Sequence, residues 1–164
     1  MSSNNKMTIV KTNQTESINQ FKYDFLSFNE MPLVELSKIP GRRLPYEGVF
    51  EFIDEYVHLF QEDTAIQALN DISAMKTKHI DALVLFNQLS DFLKKHPREE
   101  IIVVIYNLAY MDDKFIDFVS YIYRKRCCHH MKFIIAYNKN WETSRIKFFI
   151  DAMGIMDDIN IIEG

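Results

Sequence analysis

From about Phe50 to the C-terminal end, apolar positions alternate between short β-like runs and stripes at helical spacing. Tyr56-Val-His-Leu-Phe60 and Thr64-Ala-Ile-Gln-Ala-Leu69 read as two strands, with Glu62-Asp63 as a tight turn between them and Asn70-Asp71 ending the second. Ile80, Leu83, Val84, Phe86, Leu89, Phe92 and Leu93 recur every three or four residues, which predicts an amphipathic helix from His79 to Lys95. Lys94-Lys95-His96 in its last turn and Pro97 beyond supply the stop. The β-branched run Ile101–Ile105 predicts a buried strand. A helix over Lys114–Arg126 follows, with Phe115, Phe118, Val119, Ile122 and Tyr123 on one face. A strand at Lys132–Tyr137, a helix from Glu142 to Met153 and a strand at Ile159–Ile162 complete the pattern, with Gly154 expected as a left-handed helix cap. The order β-β-α-β-α-β-α-β predicts an α/β fold.

The first 50 residues carry no such regularity. Residues 1–20 are polar and rich in Asn, Ser, Thr and Gln, the composition of a loosely held tail. In residues 21–50, Phe21, Tyr23, Phe25, Leu26 and Phe28 suggest a strand or packed segment, and Pro32, Pro40-Gly41 and Pro45 break any long element. The expected division is therefore a tail and partly extended arm over 1–50 and one α/β domain over 51–164. Apolar residues in the arm, including Leu33–Leu36, suit a clamp on a partner or a homodimer contact.

Composition narrows the function classes. Hydrophobic residues make up 48% and charged residues 26%, as in an ordinary globular chain. A net charge of −4 gives no footprint for nucleic acid, and the one basic run, Arg124-Lys-Arg126, is too short to change that. Apolar runs fall short of the roughly 18 residues a membrane span needs. Met1–Met7 lacks the apolar core of a signal peptide, so a cytoplasmic location is expected. Cys127-Cys128 is followed at once by His129-His130, but structural zinc sites draw spaced ligand pairs from two segments. The end of a helix running into a connection is the simpler reading, and no metal or cofactor is expected.

The chemistry concentrates after the Ile101–Ile105 strand, where Tyr106-Asn-Leu-Ala-Tyr-Met-Asp-Asp113 opens the next helix. In open α/β sheets ligands gather at the carboxyl ends of strands. Val103-Val-Ile-Tyr-Asn-Leu-Ala-Tyr-Met-Asp-Asp-Lys-Phe115 resembles the strand and turn of a STAS domain, the fold of bacterial anti-sigma-factor antagonists and of sulfate-transporter tails. That family has a strand of the type V-V-I-D-L-S and a turn of the type Y-I-D-S-S-G. Phe118–Arg126, Met131–Ile135 and Phe148–Asp157 are similar to its later helix, strand and final helix. The resemblance covers about two-thirds of the chain. It implies a STAS-like mixed sheet covered by helices, carrying the N-terminal extension.

It also implies a regulator without a switch. Asp112 falls on the family Asp, and Asp113 on the position that a partner kinase phosphorylates as Ser or Thr. A carboxylate carries roughly one negative charge against about −1.5 to −2 for a phosphoserine, and it cannot be removed. Phe115 replaces the usual glycine, and Tyr106 an acidic residue. The expected partner surface is Tyr110, Met111, Asp112, Asp113, Lys114 and Phe115, joined by Asn70 and Asp71. The expected partner is an anti-sigma-type kinase, a stressosome-like assembly or a transporter subunit. Asp112-Asp113 also suits plain helix capping, which is the commoner use of such a pair. A magnesium site needs a further carboxylate, for which Asp71 is the candidate.

A second resemblance points elsewhere. Arg98–Ile105 and Phe133-Ile-Ile-Ala-Tyr-Asn138 are similar to the Walker B and sensor strands of DNA-pumping P-loop ATPases of the FtsK type. Phosphate binding needs G-x-x-x-x-G-K-[ST]. The four glycines, Gly41, Gly48, Gly154 and Gly164, form no such loop, and Tyr106-Asn107 stands where Asp-Glu is required. That resemblance implies a degenerate ATPase domain or a small α/β nucleotide-binding protein. The motifs G-x-S-x-G, H-E-x-x-H and C-x-x-C do not occur. Trp141 is expected to pack at the start of the last helix. The reading that follows is a non-catalytic protein-interaction module.

Overall fold

A computed structural model describes residues 6–12, 32–37, 43–77, 79–96, 100–156 and 158–163. Its strands are β1 (Met7–Thr12), β2 (Leu33–Leu36), β3 (Ile101–Ile105), β4 (Met131–Asn138) and β5 (Ile159–Glu163). Its helices are α1 (Glu47–Val57), α2 (Asp63–Ser73), α3 (Ala82–Lys95), α4 (Asp113–Arg124) and α5 (Ser144–Met153). The strands form one sheet in the order β2-β3-β4-β1-β5. Every pairing is parallel, with Ile9 opposite Ile135 and Ile161, and Val103 opposite Val34 and Phe133.

The crossovers β2 to β3, β3 to β4 and β4 to β5 all advance in one direction across the sheet. Right-handed connections therefore stack α1 to α5 on a single face. The buried positions agree. Met7, Ile9, Val34, Leu36, Ile101, Val103, Ile105, Phe133 and Ile135 join the helices in one core. Alternate residues Ile102, Val104 and Ile134 form a separate buried cluster on the opposite face. That two-sided burial explains why β3 is an unbroken β-branched run.

The general α/β class holds, and β3, β4, β5, α3, α4 and α5 lie where the pattern predicts them. Caps set the starts: the Asp81 side chain accepts from Leu83 N and Val84 N, and Thr143 Oγ1 accepts from Ile146 N. The sheet itself departs from expectation, since it is parallel throughout and not mixed. Tyr56–Phe60 and Thr64–Leu69 are not strands but parts of a helical hairpin. Val49, Phe50, Phe52, Ile53 and Tyr56 form a continuous helical stripe that the core takes up. Tyr56 is fully buried, its ring 5.2 Å from that of Phe52. On α2 the corresponding stripe is Ala65, Leu69 and Ile72.

The division at residue 50 does not describe β1 and β2. β1, in the expected tail, lies between β4 and β5 with Met7 and Ile9 fully buried. β2 pairs with β3, and α1 begins at Glu47. The expected segment Phe21–Phe28 lies outside the described residues. Of the stretch Gly41–Gly48, which the sequence suggests is an extended linker or arm, residues 43–48 are described and its end, from Glu47, is helical. Gly154 ends α5 in a right-handed conformation, not a left-handed one (φ −63°). After α4 it is Arg126 that takes the left-handed form (φ 54°). Among the described residues no helix is long and apolar enough to cross a membrane.

Candidate functional site

The carboxyl edge of the sheet collects most of the buried polar side chains. β1 ends in Thr12 and β4 in Asn138, which face each other in register; β2 is followed by Ser37, and β3 by Tyr106-Asn107. Thr12, Ser37 and Asn107 are each 1% exposed and Asn138 8%. Ser37 adopts φ 57°, a strained conformation for a side chain with a Cβ. Its hydroxyl accepts from Asn107 N at 2.9 Å and so ties the end of β2 to the end of β3. Asn107 Oδ1 accepts from Ala109 N at 3.0 Å, starting a single helical turn over Leu108–Tyr110. Asn107 Nδ2 has no partner among the described residues, although it is buried. An orphaned buried donor costs about 1–3 kcal/mol.

Asp112 and Asp113 have opposite fates. Asp112 is 8% exposed and accepts three backbone N–H groups: Gly48 N at 2.8 Å, Tyr46 N at 2.8 Å and Phe115 N at 3.1 Å. One carboxylate thereby caps α4 and also the N-terminal end of α1. Gly48 permits the approach, because a Cβ there would sit 2.7 Å from Phe115 Cβ and 2.8 Å from Asp112 Oδ1. Tyr46, at φ 71°, turns the chain into α1. Asp113 is exposed in the first turn of α4, where the helix dipole favours its charge.

The rest of the expected partner surface divides in the same way. Met111 and Phe115 are core residues, 6% and 1% exposed, and Phe115 packs on Phe118. Tyr110, Asp113 and Lys114 stay accessible. Asn70 and Asp71 end no strand. They are exposed on α2, where Asp71 accepts from Gln67 Nε2 at 2.8 Å, one helical turn away. No hydrogen bond or ion pair among the described residues links them to the turn, so Asp71 does not complete a carboxylate cluster there.

What the turn does build is an open groove of about 1150 Å³. Arg43, Leu44 and Pro45 form one wall, the β3–α4 turn the floor, and Trp141 with Thr143–Arg145 the other wall. Arg43 donates to the Tyr110 carbonyl at 3.0 Å and pairs with Glu51 at 2.9 Å, which fastens the wall to the floor. Trp141 is 48% exposed, its ring 5.6 Å from that of Tyr110, and Leu44 is 69% exposed. Trp141 was expected as packing for the last helix; it sits in the short turn before α5, at the rim. Lys114 stands 5.8 Å over the Tyr46 ring. Arg43, Ser37 and Asn107 had no signal as site residues, because their roles depend on strand ends brought together by long-range pairing.

The Cys-Cys-His-His segment packs inward. The Cys127 and Cys128 thiols are buried and both point at the Ile122 carbonyl, at 3.3 and 3.7 Å. Burial pushes the Cys128 thiol up to about 12 and raises that of Cys127. His130 Nε2 lies 2.9 Å from the Tyr56 hydroxyl. Tyr137 donates to Glu142 at 3.0 Å, and burial followed by that bond raises its phenol well above the ordinary range.

No family model matches the chain, and no curated protein matches it.

Proposed function

We propose that the chain is a non-catalytic protein-interaction domain built on the sheet of a P-loop ATPase of the FtsK type. The order and direction of its strands carry this reading. Such an ATPase sets its Walker B strand, its sensor strand and the strand leading into its phosphate loop side by side and parallel. β3, β4 and β1 stand in that relation, and β3 and β4 hold the residues that resemble the Walker B and sensor strands. The STAS resemblance expects strands at Tyr56–Phe60 and Thr64–Leu69, where the chain instead ends α1, turns and runs into α2. Its particular partners, a kinase, a stressosome-like assembly or a transporter subunit, rest on that resemblance alone.

On the ATPase frame, each group that would handle phosphate is replaced. Thr12 ends the strand that leads to the loop, and the residues after it, Asn13-Gln-Thr-Glu-Ser17, include no glycine and no lysine. Phosphate cradling depends on both. Tyr106-Asn107 takes the place of the acidic pair, and an amide neither holds Mg²⁺ as a carboxylate does nor takes a proton from water. Asp112, at the end of the same turn, is committed to three backbone amides. The remaining accessible chemistry at this edge is aromatic and charged: Tyr110, Trp141, Asp113 and Lys114 around the groove. Trp and Tyr are the residue types that anchor protein contacts.

The test is incubation with Mg²⁺-ATP, with phosphate release and melting temperature both recorded. The reading predicts no release above buffer and no thermal shift. A ligand at a hundred times its Kd adds about 2.7 kcal/mol, or roughly 5–10 °C for a chain of this size. A shift of that order, or turnover of ATP, would overturn it.

A further inference from the structure

We infer that the outer face of α4 is a second docking surface, which receives an acidic amphipathic helix of a protein partner. α4 buries Phe115, Ile116, Phe118, Val119, Ile122 and Tyr123. Its remaining stripe, Asp117, Ser120, Tyr121 and Arg124, is spaced at three and four residues and floors a groove of about 540 Å³. Phe86 of α3 closes one side, and Phe148 and Phe149 of α5 close the other. Tyr121 is held in place by a hydrogen bond to Asn87. Phe148 is 66% exposed on a wall that it shares with Phe149, facing Phe86 across the groove, where a helix surface ordinarily carries a polar residue. Such a channel along a helix suits a partner helix with apolar anchors one turn apart.

The charges select the partner. The chain is acidic overall, at −4, yet the groove holds Arg124, Lys125 and Arg145 against a single carboxylate, Asp117. Asp117 is already paired with Arg145 at 3.1 Å. Lys125 stands 5.5 Å over the Tyr121 ring, and Arg124 has no ion pair among the described residues. Two cations, Arg124 and Lys125, are therefore left for an incoming carboxylate. A second copy of this chain is the poorer occupant. Its acidic helix, α1, turns Val49, Phe50, Phe52, Ile53 and Tyr56 into its own core and has no apolar stripe to offer.

The probe is a fluorescein-labelled two-heptad peptide with leucines on one face and glutamates elsewhere. A matched peptide carries lysines in place of the glutamates. Fluorescence anisotropy should show saturable binding of the acidic peptide that weakens as salt is added, with at least tenfold weaker binding of the lysine peptide. Phe148→Ala, and Arg124→Glu with Lys125→Glu, should each weaken the acidic peptide tenfold or more, with far-UV dichroism unchanged. Equal affinity for the two peptides, no binding, or variants that bind as the parent does would overturn the inference. So would a dimer in light scattering that Phe148→Ala dissociates, since the groove would then belong to a second copy.

Discussion

Replacing Asp112 with alanine should cost this protein a large share of its stability, whereas replacing its neighbour should cost almost nothing. The Asp112 carboxylate accepts from Gly48 N and Tyr46 N at 2.8 Å and from Phe115 N at 3.1 Å, with only 8% of the residue exposed. Losing a helix N-cap costs about 0.5–2 kcal/mol, and a hydrogen bond to a charged group is worth about 1.5–3 kcal/mol. Some of the freed amides will recover water, so the sum for Asp112→Ala is roughly 3–5 kcal/mol, against a typical total of about 5–15 kcal/mol. Asp112→Asn keeps one acceptor but turns an amide NH₂ toward a backbone donor, which puts its cost at roughly 1–3 kcal/mol. Asp113→Ala, on an exposed side chain, should stay within about 0.5 kcal/mol. Urea unfolding followed by far-UV dichroism measures all three, and an unchanged slope shows that the same surface is being exposed. If Asp112→Ala falls within about 1 kcal/mol of the parent, the carboxylate does not hold α1 to α4 and the clamp is wrong.

Further expectations follow from the same geometry. Gly48→Ala should destabilise by at least 1–3 kcal/mol, the usual cost of overpacking, because its Cβ would meet Phe115 Cβ at 2.7 Å; Met111→Ala should restore little, since it removes only one of the clashing groups. Cys128 has its folded pKa raised to about 12 by burial, so its contribution to stability is complete below about pH 8.5 and is lost as pH climbs toward 12. Buried Tyr137 and Tyr123, both raised, act in the same direction above about pH 10. Urea midpoints should thus be level near neutrality and fall steadily in alkali; a midpoint level up to pH 11 would contradict that burial. Trp141 is the one tryptophan and is 48% exposed, so emission from the folded chain should be red-shifted and readily quenched by acrylamide. Blue-shifted, protected emission would close the groove.

The parts of this fold that could be read in the sequence are those where local pattern and tertiary context agree. Ile101–Ile105 is buried on both faces and looks it, and α3 announces itself by a long stripe and a basic end. α1 carried an equally good stripe from Val49 to Tyr56, but a reading that starts at Tyr56 meets only a short apolar run, where strand and helix look alike. β1 was hidden for a different reason. Met7-Thr-Ile-Val10 is a brief apolar segment between polar stretches, and its central place comes from pairing with residues more than a hundred positions away. At the site, the capping side of Asp112 was legible from its position before a helix. Its hold on Gly48 and Tyr46, the Ser37 hydroxyl on Asn107, and the Tyr110–Trp141 pair were not, because each joins segments far apart in the chain.

The functional reading depends on β1 lying inside the sheet beside β4, so amide hydrogen exchange of residues 7–12 tests it most directly. The account predicts that Ile9 and Val10 exchange as slowly as Ile134 and Ile135, by global unfolding. Exchange of β1 at the rate of an open chain, with β3 and β4 still protected, would contradict the strand order and the ATPase frame together.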